Sequence, residues 1–358
     1  MTWITRLAPG HAPDGGHLLS VLAKKTYRIP SDEIAMEDEF EPLDFVETDL
    51  FWDAGNAYLD ATKEESELVA CKPVTDVVVI GAAHAPRGKR ARFFDTGLAI
   101  GSFKKAVRVF GDRKISLKTF GFEISEPELF ESMPLHYGLA YGGRQISATG
   151  EELIYPRNPV GKGFTLSSEP RALVDLVLPN LENPAQLLTA DNLVLKSFDR
   201  WQQAPKPWAL GYTSRNFHPR LTFAGLPPGQ ATIGEIERLQ AKQSEDPQPS
   251  SGPVPLMSPE FASGASEGLA LPFLKGDEQV ILQYMDPDVP LYRFGLPGGR
   301  PTGWIDVGEG VQNLDMVLQN VVIYKGSSQM TLVWRGSCRY GGPESMAQWE
   351  RLDYGVED

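Results

Sequence analysis

Met133-Pro134-Leu135-His136-Tyr137 opens a segment, residues 133–182, that contains several clusters of residues typical of tight turns. The segment continues with Ala140-Tyr141-Gly142-Gly143-Arg144, Tyr155-Pro156-Arg157-Asn158-Pro159-Val160-Gly161-Lys162-Gly163-Phe164 and Leu178-Pro179-Asn180-Leu181-Glu182. Because proline fixes φ and glycine permits positive φ, these clusters prescribe a particular loop path. The sequence therefore predicts a shaped surface, bordered by aromatic residues that can anchor the loops to a core. The segment has no obvious nucleophile–base pair, which favours binding over catalysis.

Polar and aromatic side chains on these loops are the candidates for contact with a partner. We expect Arg144, Asn158 and Lys162 to face outward, so that alanine at each position weakens binding without unfolding the protein. Tyr141 can either pack over the glycine bend or anchor an interface, and the sequence leaves this open. The full set of candidate partner-binding residues is Arg113, Tyr141, Arg144, Arg157, Asn158, Lys162, Asn180 and Glu182.

The composition of the whole chain indicates a β-rich globular protein. The chain has 358 residues, enough for two domains or one large domain, and its 35 glycines and 29 prolines indicate many turns. We predict a mostly β fold with sandwich-like antiparallel sheets, long loops and few short helices. The predicted parts are residues 1–125, 126–200, 201–260 and 261–358, which can also form one continuous domain over residues 15–340.

Charge and residue usage exclude several classes of protein. The net charge of −13 argues against a nucleic-acid-binding protein, which would need a positive field. Cys71 and Cys338 lie far apart in the sequence, and reduced thiols in a cytoplasmic protein are their expected state. The longest apolar run, residues 77–83, is too short to cross a bilayer, so we expect no membrane insertion. No metal-binding or phosphate-binding motif is complete, and we predict neither a metal nor another cofactor.

Several stretches have the patterning of β-strands. Residues 18–29 alternate apolar and polar positions, which predicts a strand buried on one face. Residues 77–83 form a β-branched run, which predicts a strand buried on both faces, and residues 278–284 predict a further strand. We expect one hairpin around Gly111-Asp112-Arg113 and another around residues 325–328, because strand-like runs flank both turns.

Three other segments carry separate predictions. Residues 232–239 contain a capping box and predict a short helix, whereas residues 243–255 predict a Pro/Ser-rich loop or linker. Residues 32–49 contain nine acidic side chains and no lysine or arginine. This acidic segment is either a solvated loop or a docking strip for a basic partner.

One catalytic pattern matches the chain, at Gly264-Ala265-Ser266-Glu267-Gly268, which has the G-x-S-x-G form of a nucleophile elbow. That elbow needs a strand before the serine, a helix after it and a later histidine. All five histidines precede Ser266. His136 can act as a general base, but a structural histidine is the favoured interpretation. The sequence therefore predicts no catalytic residue.

Ordered motifs along nearly the whole chain resemble those of the family called domain of unknown function 2169 (DUF2169). The motifs are Lys72-Pro73-x-Thr75-Asp76-Val77, Gly81-x-Ala83-x-Ala85-Pro86-x-Gly88, Gly111-Asp112-Arg113, Met133-Pro134-Leu135, Ala140-Tyr141-Gly142-Gly143, Asn158-Pro159-Val160-Gly161-x-Gly163-Phe164, Leu178-Pro179-Asn180-Leu181-Glu182, Gly276-Asp277-Glu278, Phe294-Gly295-Leu296-Pro297 and Leu332-Val333-Trp334-Arg335-Gly336. The resemblance implies a structural role for Lys72, Pro73, Asp76, Gly111, Asp112, Gly142, Gly143, Pro159, Gly161, Gly163, Pro179, Trp334 and Arg335.

The resemblance also implies a function in type VI secretion. Members of the family are encoded beside secretion components and toxic effectors, and several are regarded as adaptors or chaperones that load an effector onto the spike or its tip protein. The chain departs from the family pattern at Lys114-Ile115, where an aromatic residue is usual. It also departs in the middle, where residues 209–215 and the Pro/Ser-rich segment replace the usual aromatic and acidic block. We therefore expect a non-enzymatic cytoplasmic adaptor for a secreted effector, with a cargo that can belong to a different effector subfamily.

Two other functions stay open at this point. One is an enzyme that acts on a small ligand in a cleft built by the loops, and the other is a structural component that remains in the secretion apparatus. An adjacent toxin gene and spike gene would favour loading, whereas a metabolic operon would favour an enzyme. The sequence determines neither the cargo nor the oligomeric state.

Overall fold

Strands dominate the computed structural model of the protein. Strands account for 45% and helices for 10% of the described residues. The prediction of a mostly β fold with antiparallel sheets and few short helices is therefore confirmed. The structure describes residues 3–37, 41–53, 60–117, 119, 122–146, 150, 152–166, 173, 175–193, 195, 198–215, 217–218, 220, 259–308, 310–346 and 352–358.

The strands of these described residues follow one another in chain order. The first part of the chain contains β1 (Ile4–His11), β2 (His17–Arg28), β3 (Glu33–Ile34), β4 (Leu50–Phe51), β5 (Thr62–Glu64), β6 (Thr75–Ile80), β7 (Ala82–His84), β8 (Phe93–Ile100), β9 (Phe103–Phe110), β10 (Ile115–Leu117) and β11 (Phe122–Ile124). The middle part contains β12 (Ser132–Pro134), β13 (Tyr141–Gly142), β14 (Arg144–Ile146), β15 (Glu152–Ile154), β16 (Lys162–Gly163) and β17 (Leu181–Glu182). The last part contains β18 (Ala270–Leu271), β19 (Gln279–Gln283), β20 (Leu291–Gly295), β21 (Thr302–Asp306), β22 (Val311–Leu314), β23 (Val317–Tyr324), β24 (Gln329–Arg339) and β25 (Asp353–Glu357).

Short helical turns connect some of these strands. In the described part of the chain, the α-helices are α1 (Ala190–Leu193) and α2 (Pro343–Met346), and the 3₁₀ turns are Pro86–Gly88, Tyr137–Leu139, Phe198–Gln203, Pro259–Ala262 and Lys325–Ser327. Within the described residues, no helix is long and apolar enough to span a membrane. The predicted helix at residues 232–239 and the predicted linker at residues 243–255 lie outside the described residues.

The first large sheet joins strands from both ends of the chain, in the order β1-β2-β24-β23-β6-β18. Strand β2 pairs antiparallel with β24 from Leu18 to Arg28, and β23 pairs parallel with β6. Every residue of β6 is buried, which agrees with the strand buried on both faces that the β-branched run predicts. The hairpin predicted around residues 325–328 is also present, because β23 and β24 pair across that turn and Ser328 has a φ of 52°.

The prediction that residues 18–29 form a strand with only one buried face is wrong. Both faces of β2 are buried, including the polar residues Ser20, Lys24 and Thr26. Ser20 Oγ donates to the carbonyl of Ala70 at 2.7 Å, and Lys24 Nζ lies 2.6 Å from a carboxylate oxygen of Glu67. The loop that precedes β6 therefore covers the polar face, and each polar group is tolerated because it gains a partner.

The second large sheet has the order β17-β9-β8-β19-β20-β3. Its inner face contributes Leu98, Val107 and Val280 to a hydrophobic core that also contains Leu19 and Val77 of the first sheet. Its opposite face carries exposed residues of β8, β9, β19 and β20. One large core thus lies against both sheets, and the second sheet keeps one face open to solvent.

The hairpin predicted around Gly111-Asp112-Arg113 is wrong. Strand β9, which ends at Phe110, pairs with β8 and β17, whereas β10 pairs with β11. The tighter hairpin is the one between β8 and β9, where Ile100 pairs with Phe103 and Gly101 has a φ of 55°. The Gly-Asp-Arg turn instead leads the chain from the second sheet into the loop-rich middle part.

The loop-rich middle part of the chain, residues 111–204, has a hydrophobic cluster of its own. The cluster contains Ile115, Tyr141, Tyr155, Phe164, Leu173, Leu178, Leu188, Leu193, Leu195, Trp201 and Ala204. Strand β17 in this part pairs with β9, so the loops are attached to the edge of the second sheet. The boundaries of the four predicted parts stay a prediction, although the strand order shows that the first and last parts share a sheet.

Candidate functional site

Arg113 and Glu182, two of the candidate partner-binding residues, are buried against each other. Their side chains form an ion pair, and the guanidinium of Arg113 also donates to the carbonyl of Pro179 at 2.6 Å. The other carboxylate oxygen of Glu182 accepts from the amide of Leu188 at 2.6 Å. These contacts connect the Gly-Asp-Arg turn to the Leu-Pro-Asn-Leu-Glu segment, and they remove both side chains from the accessible surface.

The candidates Tyr141, Asn158 and Asn180 are buried too. Asn158 donates to the carbonyls of Tyr137 and Tyr141 at 2.9 and 3.0 Å, and its exposure is 0%. The prediction that Asn158 faces outward is therefore wrong, because its amide satisfies backbone groups inside the loop bundle. Asn180 donates to the carbonyl of Phe110 and to Asp112, both at 3.0 Å. Tyr141 packs against Tyr155, at 5.2 Å between ring centroids, and its ring would lie 3.7 Å from a Cβ atom on Gly163.

Arg144, Arg157 and Lys162 are the candidate partner-binding residues that remain half-exposed. Arg144 lies 3.3 Å from Glu152 on the neighbouring strand. Burial lowers the pKa of the Lys162 ammonium from its usual value. Arg157 donates to the carbonyl of Gln202 at 3.1 Å and lies 5.2 Å from the ring of Trp201. The structure does not bring the eight candidates together on one surface.

The glycines of the middle part permit backbone segments to approach one another. A Cβ atom on Gly142 would lie 2.2 Å from the carbonyl oxygen of Asn158, and one on Gly143 would lie 2.5 Å from that of Gly161. Gly142, Gly143 and Gly163 have φ values of 148°, 102° and 92°. Strands β13 and β16 pair in parallel at this point, so side chains here would separate the two loops.

The Lys-Pro-x-Thr-Asp motif is a buried polar junction between sheet and loop. Lys72 Nζ lies 2.8 Å from Asp76 and 2.8 Å from the side-chain oxygen of Asn320. Asp76 also accepts from the amide of Gly264 at 2.8 Å. Thr75 donates to the carbonyl of Leu318 at 2.6 Å. The motif thus joins β6 to β23 and holds the Gly264–Gly268 loop against the first sheet.

Trp334 and Arg335 are both buried in β24. The ring of Trp334 packs against Gly276, where a Cβ atom would lie 3.0 Å from the ring and where φ is 90°. The guanidinium of Arg335 donates to the carbonyls of Ala70 and Lys72 at 3.3 and 3.1 Å. Trp334 therefore meets the loop that follows β18, and Arg335 meets the loop that precedes β6.

An apolar cavity of about 440 Å³ lies beside this junction. Its apolar walls come from distant parts of the chain and include Pro73, Val74, Tyr137, Phe217, Ala265 and Ala270. Pockets that bind ligands or anchor side chains of a partner commonly have volumes of roughly 300–1,000 Å³ and mainly apolar walls. We take this apolar cavity as the candidate functional site.

Charged residues at the apolar cavity are engaged with groups of the protein itself. Lys206 and Glu267 form an exposed ion pair at 2.9 Å. Arg220 is buried, pairs with Glu65 and donates to the carbonyls of Phe261 and Thr213. Arg157, the one candidate from the sequence that lines the cavity, is held by Gln202 and Trp201 as described above. The cavity therefore has an apolar interior, and Lys206, Glu267 and Arg220 at its border have their charges neutralised by ion pairs.

Lys105 and Ser266 lie behind one wall of the apolar cavity. Lys105 Nζ donates to Ser266 Oγ at 3.0 Å and to the carbonyl of Glu267 at 2.7 Å, and it lies 3.9 Å from the ring centroid of Trp208. Burial lowers the pKa of Lys105 to about 7. The exposure of Ser266 is 0%, and a 3₁₀ turn precedes its loop while β18 follows it. A nucleophile elbow would need the opposite order of a strand and then a helix.

Lys105 was not among the candidate site residues chosen from the sequence, although the strand pattern indicates that its side chain is buried. Successive side chains of a strand point to opposite faces, so Lys105 shares its face with Val107 and Val109. Both valines are fully buried in the core. A lysine in that register must either be buried or disrupt the strand. The residues that line the cavity show no such pattern in the sequence, because loops bring them together.

His136 has the environment of a structural histidine. Its Nδ1 atom accepts from the amide of Gly138 at 3.2 Å, and its ring stacks on Trp52 at 4.7 Å. Burial lowers its pKa to about 4, so the ring is neutral at pH 7. Among the described residues, no group of three or more His, Cys, Asp or Glu side chains is arranged to hold a metal ion.

Comparison with known proteins gives one match. The family model described as "Uncharacterized protein conserved in bacteria (DUF2169)" matches residues 14–335. No curated protein and no solved structure was found to match the chain. The matched range contains every motif quoted above except the final Gly336, together with the apolar cavity and its walls. The chain therefore belongs to the DUF2169 family of bacterial proteins.

Proposed function

We propose that the protein is a non-enzymatic adaptor that binds a type VI secretion effector in the bacterial cytoplasm and presents it to the spike or tip protein. The observation that carries this proposal is the apolar cavity, whose interior is apolar and at whose border Lys206, Glu267 and Arg220 form ion pairs within the protein. An apolar or aromatic side chain of a cargo protein would release water on entering it and would leave these ion pairs intact.

The position of the apolar cavity adds support. Its walls combine Pro73 and Val74 of the Lys-Pro-x-Thr-Asp motif with Tyr137, Thr213 and Ala265. The buried polar junction holds the loop that contains Ala265 in place through the amide of Gly264. A preformed pocket of this kind binds an anchor side chain without first ordering its own loops, so less free energy is lost on association.

The experiment is affinity purification of the tagged protein from its native host under secretion-active conditions, followed by identification of the co-purified proteins. Two variants accompany the wild type. Ala270→Trp places a large ring at an exposed position that lines the apolar cavity, and Ala185→Trp places the same ring at an exposed position outside it. We expect the wild type and Ala185→Trp to recover an effector together with a spike or tip protein, and Ala270→Trp to lose the effector.

Two results would contradict the proposal. The absence of any effector, spike or tip protein with the wild type would remove the loading function. Equal recovery of the effector by Ala270→Trp and by the wild type would remove the apolar cavity as the cargo site. Thermal unfolding of both variants shows whether a loss of recovery reflects a loss of folding.

The alternative of an enzyme acting on a small ligand in this cavity has less support. The hydroxyl of Ser266 is buried behind the wall, and Lys206 and Glu267 are paired with each other. Turnover of a small molecule by the purified protein that Ala270→Trp abolishes would favour the enzyme over the adaptor.

A further inference from the structure

The open face of the second sheet has an arrangement of side chains that suits a second interface. Strands β9, β8, β19 and β20 lie side by side, and Lys104, Ala99, Ile281 and Arg293 face one another across them in a single row. Directly opposed residues of antiparallel strands point to the same face of a sheet. We call the surface formed by Ala99, Lys104, Ala106, Ile281, Leu291 and Arg293 the outer face.

The centre of the outer face carries partly exposed apolar residues. Ala99 and Ile281 are half-exposed, and the next row places exposed Ala106 opposite Gly97 and exposed Leu291 opposite Gln283. Leu291 is 44% exposed. Gly97 and Ala99 of β8 are smaller than Ile281 and Leu291 of β19 and β20, and an apolar side chain of a partner can pack on these residues.

Cations mark the two ends of the central row. Lys104 and Arg293 are exposed, and no carboxylate in the described part of the chain lies within ion-pair distance of either. Arg108, two rows from the central row, is neutralised by Asp95 opposite it. In a chain with a net charge of −13, the outer face thus carries two exposed cations without an ion-pair partner among the described residues. Three strand spacings separate the two cations, about 14 Å between their backbones.

We propose that the outer face docks an amphipathic α-helix of a partner protein, with an apolar stripe flanked on both sides by Asp or Glu. A helix is about 10 Å wide, so it fills the apolar row between the cations and brings acidic residues at its margins within reach of Lys104 and Arg293. Helices pack in this way on sheet faces because each buries the apolar surface of the other.

A second copy of this chain is a poorer occupant for the outer face. A two-fold dimer would place the outer face against itself. The cations of one copy would then face those of the other, and like charges across an interface oppose association. The acidic helix of another protein removes that repulsion.

The inference rests on the proposed function in one respect, since an adaptor contacts cargo and carrier at the same time and needs two surfaces. The apolar cavity and the outer face lie on opposite sides of β9. Lys105 points toward the cavity wall, and Lys104, its neighbour in sequence, points outward. Occupation of the apolar cavity by cargo would therefore leave the outer face free for the carrier.

The first test uses a labelled 18-residue helical peptide with leucines along one face and glutamates at both margins of that face. The matched peptide has lysines in place of the glutamates. Fluorescence anisotropy measures binding to the wild type, to Lys104→Glu/Arg293→Glu and to the control Arg87→Glu/Lys89→Glu, which makes the same charge change at exposed residues elsewhere. We expect the glutamate peptide to bind the wild type and the control, and the outer-face variant to bind at least ~10-fold more weakly.

Other results of the peptide test would overturn the inference. They are equal binding of the glutamate peptide to all three proteins, no binding to the wild type, and preference of the wild type for the lysine peptide. Sedimentation velocity of the wild type and Ile281→Glu tests the alternative occupant, because a wild-type dimer that Ile281→Glu dissociates would assign the outer face to self-association.

Affinity purification from the native host separates this inference from the proposed function. If the wild type recovers an effector and a spike or tip protein, we expect Lys104→Glu/Arg293→Glu to keep the effector and lose the carrier. Retention of both by that variant would overturn the outer face as a docking site and leave the adaptor function intact. Recovery of neither partner by the wild type would contradict the adaptor function, and the peptide test would then decide the outer face alone.

Discussion

Lys105 Nζ lies 3.0 Å from Ser266 Oγ, and both side chains are buried behind the wall of the apolar cavity. Ser266 and the carbonyl of Glu267 give the amine two neutral oxygen partners, and the Trp208 ring covers it at 3.9 Å. The side chain of Glu267 pairs with Lys206 outside, so no counter-charge is in direct contact with Lys105. A buried ammonium loses its interactions with water, and without a paired anion the neutral oxygen partners do not fully replace them. The charged form is therefore disfavoured and the pKa of Lys105 falls.

Stability should therefore rise with pH above neutrality because of Lys105. Its folded-state pKa is about 7, below the usual value of 10.5, so between these values the unfolded chain binds a proton that the folded protein does not. We expect the free energy of unfolding to increase by roughly 1–3 kcal/mol from pH 7 to pH 9. Urea denaturation at both values measures this, and Lys105→Met should remove most of the increase. An increase of the same size in Lys105→Met would assign it to other groups.

Arg113→Ala should destabilise the protein strongly, because it leaves the buried carboxylate of Glu182 without its counter-charge. Loss of one partner of a buried ion pair costs about 3–5 kcal/mol. Lys114→Ala removes the same charge from the adjacent residue, whose ion pair with Asp175 is exposed, and should cost less than about 1 kcal/mol. Chemical denaturation compares the two variants. Equal costs would show that Arg113 does not brace the middle part of the chain.

Gly143→Ala should cost more than Gly299→Ala, although both glycines have positive φ, at 102° and 80°. A Cβ atom at Gly143 would lie 2.5 Å from the carbonyl oxygen of Gly161, whereas nothing lies within 4 Å of one at Gly299. Backbone strain alone accounts for about 1–2 kcal/mol at either position, and the close approach adds to it only at Gly143. Thermal unfolding compares the two variants. Similar melting temperatures would mean that the loops at Gly143 and Gly161 can move apart without a loss of stability.

Asp49→Asn should destabilise the protein by about 1 kcal/mol, since Asp49 pairs with Arg215 at 2.7 Å and accepts from the amide of Ser66 at 2.9 Å. Asp32→Asn, at an exposed residue with a φ of 62°, should change stability by less than about 0.5 kcal/mol. Urea denaturation measures both. A larger effect at Asp32 would show that the acidic segment is stabilised by different contacts.

The contacts of the acidic segment bear on its two interpretations. Glu37 pairs with Lys25, Asp44 with Arg6 at 3.1 Å, and Asp49 with Arg215. These carboxylates hold the segment to β1, β2 and the loop at Arg215. Docking of a basic partner stays a prediction for the other acidic residues of residues 32–49, and a lower association rate at high salt would support it.

Patterns that depend on local geometry were predictable from the sequence. The β-branched run of β6, the C-terminal hairpin and the mostly β fold follow from residue type and alternation, which act over a few neighbours. The glycines at 142 and 143 indicated a bend, and the positive φ at both agrees with it. The turn at Gly111-Asp112-Arg113 was equally visible, but its neighbours pair with strands from elsewhere, and local pattern does not specify that choice.

The sequence by itself determined which apolar residues need to be buried and which polar residues need hydrogen-bond partners. Only the tertiary structure decided which residues they contact. Asn158 and Arg113 are polar residues of a kind usually found at the surface, yet the loops fold over them. Asn158 donates to the backbone, and Arg113 pairs with Glu182. The apolar cavity likewise combines Val74, Tyr137 and Ala265, which are far apart in the chain. The physical reason is that burial depends on contacts between distant segments, whereas patterning along the chain records only the preferences of near neighbours.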